Sequence, residues 1–289
     1  MSHFVRILLA AGTLAAQSQT RGIIPEEVVQ ARPAAAAGSV APVSRPKYLS
    51  VPGAAASAVA TAAIPAPGRQ IGVTIWRLRA ATPADAGARI LVQEDAQTAE
   101  WIPERVSSTS RLKPGDKVRL SIESPESGYL YVIDREQYAN GNRGEPYLIF
   151  PTTRTNAGNN EVFAGKLIDI PAQDDRPNFF SLRRSRLDQS GEELMILLTP
   201  APLENIEIGP KALLLTEAQV AEWEKRWGTA KPGVFELSGG AGQPWSRAEQ
   251  LAAAGRTRAL TQDDPPPQTV YRVVVKPGEP LLVKLRLRL

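Results

Sequence analysis

From Ile71 onward, turn signals recur roughly every 8–15 residues, and the stretches between them alternate apolar and polar side chains. A period of two sends successive side chains to opposite faces, so each stretch reads as a strand with one face to bury. "IGVTIWRLR" places Ile71, Val73 and Ile75 on one face, and "GDKVRLSIES" after the Pro114-Gly115 turn does the same with Val118, Leu120 and Ile122. "GYLYVIDR", "EPYLIFP", "GKLIDIP" and "EELMILLTP" continue the series, with Asn140-Gly141 in the loop between the first two suited to a turn with positive φ. Strands this short and closely spaced point to an antiparallel sandwich or barrel and away from repeated βαβ units.

The C-terminal third changes period. Thr216 precedes Gln219 at capping-box spacing, and Val220, Trp223 and Trp227 then share one helix face that Gly228 can close. Ser246 and Glu249 repeat the capping pattern ahead of a second short helix. "TVYRVVVK" and "PLLVKLRLRL" flank Pro277-Gly278 and predict a hairpin. Its last strand turns Leu281, Val283, Leu285, Leu287 and Leu289 one way and Lys284, Arg286 and Arg288 the other. Two strands and two short helices make a poor core alone, so the hairpin is expected to return to the first sheets. The fold class expected is mainly β: an antiparallel β-sandwich with two short helices and a C-terminal β-hairpin. Residues 71–205 form the sandwich and 206–289 the helical addition plus hairpin packed on it.

Ahead of this lie two segments of other character. Arg6 precedes an apolar run from Ile7 to Ala16, followed by Ala16 and Ser18 flanking Gln17 as at a signal-peptidase site, so residues 1–18 are expected to be a signal peptide. No other stretch approaches the roughly 18 apolar residues of a membrane-spanning helix, so no transmembrane segment is expected. Residues 19–70 are dominated by Ala, Pro, Gly and Ser, and prolines at 33, 42, 46, 52, 65 and 67 interrupt the alanine runs. Such a stretch buries too little to offset chain entropy and is expected to be a disordered tether. The product is expected to be periplasmic or secreted.

The segment from Ile71 to about Pro202 resembles a bacterial family of uncharacterised domains, designated a domain of unknown function and found elsewhere appended to caspase-like peptidases and protein kinases. The residues that carry the resemblance are "GDKVRLSIES" (Gly115 to Ser124), "GYLYVIDR" (Gly128 to Arg135), "LIFP" (Leu148 to Pro151) and "GKLIDIP" (Gly165 to Pro171). The resemblance implies a small β-sandwich used as an accessory module and transfers no catalytic residue. No peptidase or kinase domain is expected within these 289 residues, a departure from the family's usual arrangement.

The 289 residues include no cysteine and one histidine, His3, inside the expected signal. A Ser-His-Asp or Cys-His centre and a zinc site of the His/Cys type are therefore excluded from the mature chain. Ser110-Arg111-Leu112-Lys113 matches the S-x-x-K spacing of a Ser-Lys nucleophile, but Pro114 after it favours a turn over the helix that chemistry needs. The acidic pairs Asp174-Asp175, Glu192-Glu193 and Asp263-Asp264 do not read as facing catalytic carboxylates, because neighbours in a strand point to opposite faces and loop pairs are solvated. The oxygen-rich loops from Asn156 to Glu161 and Asp134 to Glu145 lack calcium-loop spacing. No metal and no cofactor are expected. A net charge of +4, in clusters such as Arg183/Arg184/Arg186, suits a solvated sheet face, and no nucleic-acid partner is expected. The expected function is a non-catalytic interaction module of the envelope or extracellular space with a protein or envelope-polymer partner. A carboxylate- or Ser-Lys-based hydrolase and a structural envelope component are the alternatives. The candidate binding residues are the hairpin loop and the tyrosines beside it: Tyr129, Tyr131, Tyr138, Asn140, Asn142, Arg143 and Tyr147.

Overall fold

The structure, a computed structural model, describes residues 27–35, 68–83, 85, 89–94, 97–254, 259–276 and 278–289. The expected signal, 1–18, and most of the expected tether lie outside the described residues. In chain order the elements are α1 (Glu27–Gln30), β1 (Arg69–Ala80), β2 (Ile90–Glu94), β3 (Gln97–Val106), β4 (Lys117–Glu123), β5 (Gly128–Tyr138), β6 (Tyr147–Phe150), β7 (Glu161–Val162), β8 (Leu167–Ile170), β9 (Phe180–Ser181) and β10 (Gln189–Thr199). There follow β11 (Leu213–Leu214), α2 (Glu217–Trp227), β12 (Gly233–Glu236), α3 (Arg247–Ala253), β13 (Thr269–Val273) and β14 (Leu281–Arg288).

All strand pairs are antiparallel and form two sheets, as a sandwich requires. In the first sheet β1 is central: β13 and then β3 share one of its edges, and β4 lies along the other. The second runs β11-β6-β5-β10-β14. The alternation read from sequence is the packing that forms. Ile71, Val73 and Ile75 meet Val118, Leu120 and Ile122 in the core between the sheets, together with Leu130, Val132 and Phe150 of the second sheet. Leu281, Val283, Leu285 and Leu287 join them from β14.

The C-terminal strands depart from the expected hairpin. They return to the sandwich, but β13 pairs with β1 and β14 with β10, so the chain crosses from one sheet to the other between them. Each strand gains a long partner and a buried face this way, which a two-stranded ribbon would not supply.

Both sheets are also covered on their outer faces. α2 begins at Thr216, whose side chain accepts from the Gln219 amide at 3.2 Å, and its Val220 and Trp223 close over Tyr131, Ile133, Leu148, Met195, Leu197 and Leu282. α3 begins with the full capping box: Ser246 Oγ accepts from the Glu249 amide at 3.1 Å, and Glu249 accepts from the Ser246 amide at 2.7 Å. The stretch around α3 covers the first sheet, where Trp245 meets Trp76 edge-on at 5.9 Å.

Residues 27–35 are a second departure. Expected within the tether, they pack on this covered face, with Val28 and Arg32 buried. Arg32 donates to both carboxylate oxygens of Glu123 at 2.8 Å, and to the carbonyls of Thr261 (3.2 Å), Asp264 (2.9 Å) and Pro265 (3.0 Å). All five guanidinium donors thus have acceptors. Two buried pairs of the same kind lie on this face, Arg119–Asp169 at 2.7 Å and Arg105–Glu249. Gly165 makes the docking possible: its φ is +71°, and a Cβ there would sit 2.1 Å from the Ala31 carbonyl oxygen. A composition poor in apolar residues was the reason to expect disorder. One arginine with a complete set of buried acceptors outweighs it locally.

Candidate functional site

Along β5 the inward row Leu130, Val132 belongs to the core. The same row continues as Asp134, Glu136 and Tyr138, because alternation keeps every second residue on one face. The row passes beyond the hydrophobic filling, and a cavity of about 620 Å³ opens to solvent there. Its wall is completed by Glu192 of β10, Arg143 to Glu145 of the hairpin loop, Tyr147 of β6, Ser181 of β9, and Arg183 and Arg186 of the following loop. Register explains the convergence: Tyr147 sits opposite Asp134, and Glu192 opposite Glu136.

The hairpin loop is held by its own turn. Asn140 Oδ1 accepts from the Asn142 amide at 2.9 Å, the Tyr138 amide donates to the Asn142 carbonyl at 3.0 Å, and Gly141 takes φ +84°. Arg135, on the opposite face of β5, grips the Gly144 carbonyl with two donors at 3.0 and 2.9 Å. The loop is therefore tied to the sheet on both sides of its tip.

Inside, Glu136 accepts from Tyr138 Oη at 2.6 Å and Ser185 Oγ at 2.7 Å, and Glu145 from Tyr147 Oη at 3.0 Å. Arg186 lies over the Tyr138 ring at 4.2 Å and pairs with Asp188 at 3.0 Å. Glu192 Oε1 accepts from Gln189 at 2.6 Å, while Glu192 Oε2 and Asp134 Oδ1 are buried without a hydrogen-bond partner among the described residues. Burial pushes the Asp134 carboxyl up to about 7, helped by the Glu136 charge and opposed by the Arg135 amide. Burial and the Asp134 and Glu136 charges push Glu192 up to about 8. Two carboxyls on neighbouring strands therefore hold protons near neutrality, where ordinary carboxylates are fully ionised.

Of the residues expected from sequence, Tyr138, Arg143 and Tyr147 line the cavity. Asn140 and Asn142 are exposed at the loop tip and build the turn rather than the wall. Tyr131 corrects the expectation of a displayed tyrosine face: it is buried, and its hydroxyl accepts from the Leu203 amide at 2.8 Å. Tyr129 is half-buried against the same cluster, since α2 and the stretch before it cover that side of the sheet. Asp134, Glu136, Ser181 and Arg186 were not picked out as site residues. The signal for the first two was in the chain, as polar positions continuing an inward-facing row.

Glu192 and Glu193 do point apart, as strand geometry requires. Glu192 faces the cavity and Glu193 lies 3.4 Å from Arg143 on the other side. Ser110 to Lys113 form no helix; the Lys113 amide donates to Asp116 at 2.8 Å in the turn around Gly115. Asp175 accepts from the Ala172 and Asn156 amides, and Asp264 from the Thr261 amide, so both serve turns. Among the described residues no three His, Cys, Asp or Glu side chains are grouped to hold a metal ion, and no helix is long and apolar enough to cross a membrane. No family model, no curated protein and no solved structure matches the chain.

Proposed function

We propose that the chain is an exported binding module of the cell envelope or extracellular space, and that its ligand seat is the cavity beneath the β5–β6 hairpin. One observation carries this reading: buried carboxylate oxygens without donors among the described residues line a solvent-open cavity that a two-sheet frame holds in place. Buried polar atoms are ordinarily satisfied, and an exception in a concave site marks a place where a ligand completes the hydrogen bonding. Export rests on the N-terminal Arg6 and apolar run, and the accessory role accords with the family resemblance.

The test is amide chemical-shift mapping of the labelled protein against a panel of neutral saccharides, anions and cations. A compound of any class that moves Gly144, Ser181 and Glu192 together supports the seat. Shifts confined to other surfaces, or none from the whole panel, remove it. Fractionation of the native host tests export, which recovery from the cytosol with Met1 intact overturns.

A carboxylate-based hydrolase is the second reading, favoured by Asp134 and Glu192, since a carboxyl that keeps its proton near neutrality can serve as the general acid of two-carboxylate hydrolysis. Turnover of a glycoside or ester panel that Glu192→Gln abolishes would establish it; wild-type inertness toward the panel removes it.

A further inference from the structure

We propose that the cavity receives a cationic group, an alkylammonium or guanidinium, seated against Asp134 and Glu192. The proposal rests on the reading of the cavity as a ligand seat and names what fills it. Four carboxylates line the cavity, those of Asp134, Glu136, Glu145 and Glu192. Among the described residues none of them forms an ion pair; their donors are the neutral Tyr138, Ser185, Tyr147 and Gln189 side chains and, for Asp134, the Arg135 amide. The arginines of the wall are differently placed. Arg143 is held by Glu224 at 2.8 Å and by Glu193, and Arg186 by Asp188, all carboxylates outside the cavity. Among the described residues Arg183 is the remaining cation of the wall, facing Glu136, Glu145 and the two carboxyls, Asp134 and Glu192, that hold protons near neutrality. Once Asp134 and Glu192 ionise, four acids face three wall arginines, two of which are already paired to carboxylates outside the cavity.

Asp134 adds the decisive observation. It is largely buried at the cavity wall, and among the described residues its Oδ1 has no donor, as is true of Glu192 Oε2. An anionic ligand would meet the acids of the wall and oppose ionisation of Asp134 and Glu192, and a neutral saccharide would satisfy the acceptors without compensating the charge they carry once ionised. An ammonium or guanidinium does both, with charge-assisted hydrogen bonds. The exposed Tyr147 ring at the rim is a surface on which a cation rests favourably, as Arg186 already does over the Tyr138 ring.

Proton balance follows. The groups facing Asp134 and Glu192 are Glu136 and Tyr138 from β5, Tyr147 from β6, Glu145 and Arg143 from the hairpin loop, and Arg183 and Arg186 from the loop after β9. Near neutrality the two carboxyls hold protons, so a cation that needs both ionised expels protons to the buffer. Affinity rises with pH by up to about tenfold per pH unit for each proton released, and levels off once both are ionised.

The experiment is calorimetric titration of the full chain at pH 6.0, 7.0 and 9.0, in two buffers of different ionisation enthalpy. The probes are spermidine, the blocked amides of lysine and arginine, maltose and gluconate. Expected are binding of the cations alone, proton release at pH 7.0 that vanishes by pH 9.0, and affinities at least about tenfold weaker in Asp134→Asn and Glu192→Gln. The exposed Glu161→Gln, outside the cavity, leaves binding unchanged. Spermidine against the blocked amides separates a free amine from a peptide side chain as the source. Cation binding that ignores pH, or survives both cavity variants, overturns the proposal. Binding of maltose or gluconate in place of the cations overturns it while the ligand seat stands, and silence from every probe removes both. Should Asp134→Asn fail to fold, Glu192→Gln and the wild-type pH profile carry the test.

Discussion

At the residue scale the protein holds its charges in two opposite ways. Glu123 is pushed up by burial, but Arg32 stands against it with two hydrogen bonds. Asp134 and Glu192 are pushed up, and among the described residues neither forms an ion pair. Their folded values of about 7 and about 8 lie above those of the unfolded chain, near 4. Between these limits the folded state binds more protons than the unfolded one, so their contribution to stability is greatest at acid pH and is lost as pH rises through 7 and 8. Denaturant unfolding at pH 5, 7 and 9 is expected to show a fall on the order of a few kcal/mol from these groups, reduced in Asp134→Asn and Glu192→Gln. A fall of equal size in the variants would sink the assignment. For Arg32→Ala the expectation is a loss of about 3–5 kcal/mol, because Glu123 stays buried without its partner. Equilibrium unfolding of the two chains measures it, and a loss under about 1 kcal/mol would mean that the 27–35 segment does not dock in solution.

At the element scale, caps and alternation account for most of what forms. Ser246→Ala removes one half of the α3 capping box and is expected to cost about 1 kcal/mol. Glu249→Ala removes the other half and also leaves Arg105 buried without its carboxylate, so it is expected to cost about 3 kcal/mol or more. The ratio of the two losses in thermal unfolding is the test; equal losses would reduce Glu249 to a cap alone. α2 was legible from Thr216, Gln219 and the Val220–Trp223–Trp227 face, and β14 from its leucines alternating with Lys284, Arg286 and Arg288. What each strand pairs with was not legible. β13 and β14 are adjacent in sequence on either side of Pro277-Gly278, yet each pairs with a strand of a different sheet.

At the scale of the whole molecule, the first and last parts of the chain lock the frame. Arg32 reaches Glu123, 91 residues on, and the Pro265 carbonyl, 233 residues on. β14 brings Leu281, Val283, Leu285 and Leu287 into the central core. A chain ending at Lys276 is therefore expected to lose cooperative unfolding, read by calorimetry, because those side chains and the β10 edge lose their cover; a sharp transition in that chain would show the core closing without β14. Local rules of alternation, turn chemistry and capping, which act within a few residues, were readable from the sequence alone. They determined a mainly β chain in two antiparallel sheets, two capped helices, and a displayed loop at Asn140-Gly141. Tertiary structure alone decided which sheet each C-terminal strand joins, that Arg32 is buried, that Tyr131 is covered, and that Asp134, Glu136 and Glu192 meet in one cavity. These depend on pairing register and on burial between residues far apart in sequence, and a carboxylate's neighbours in space set its charge.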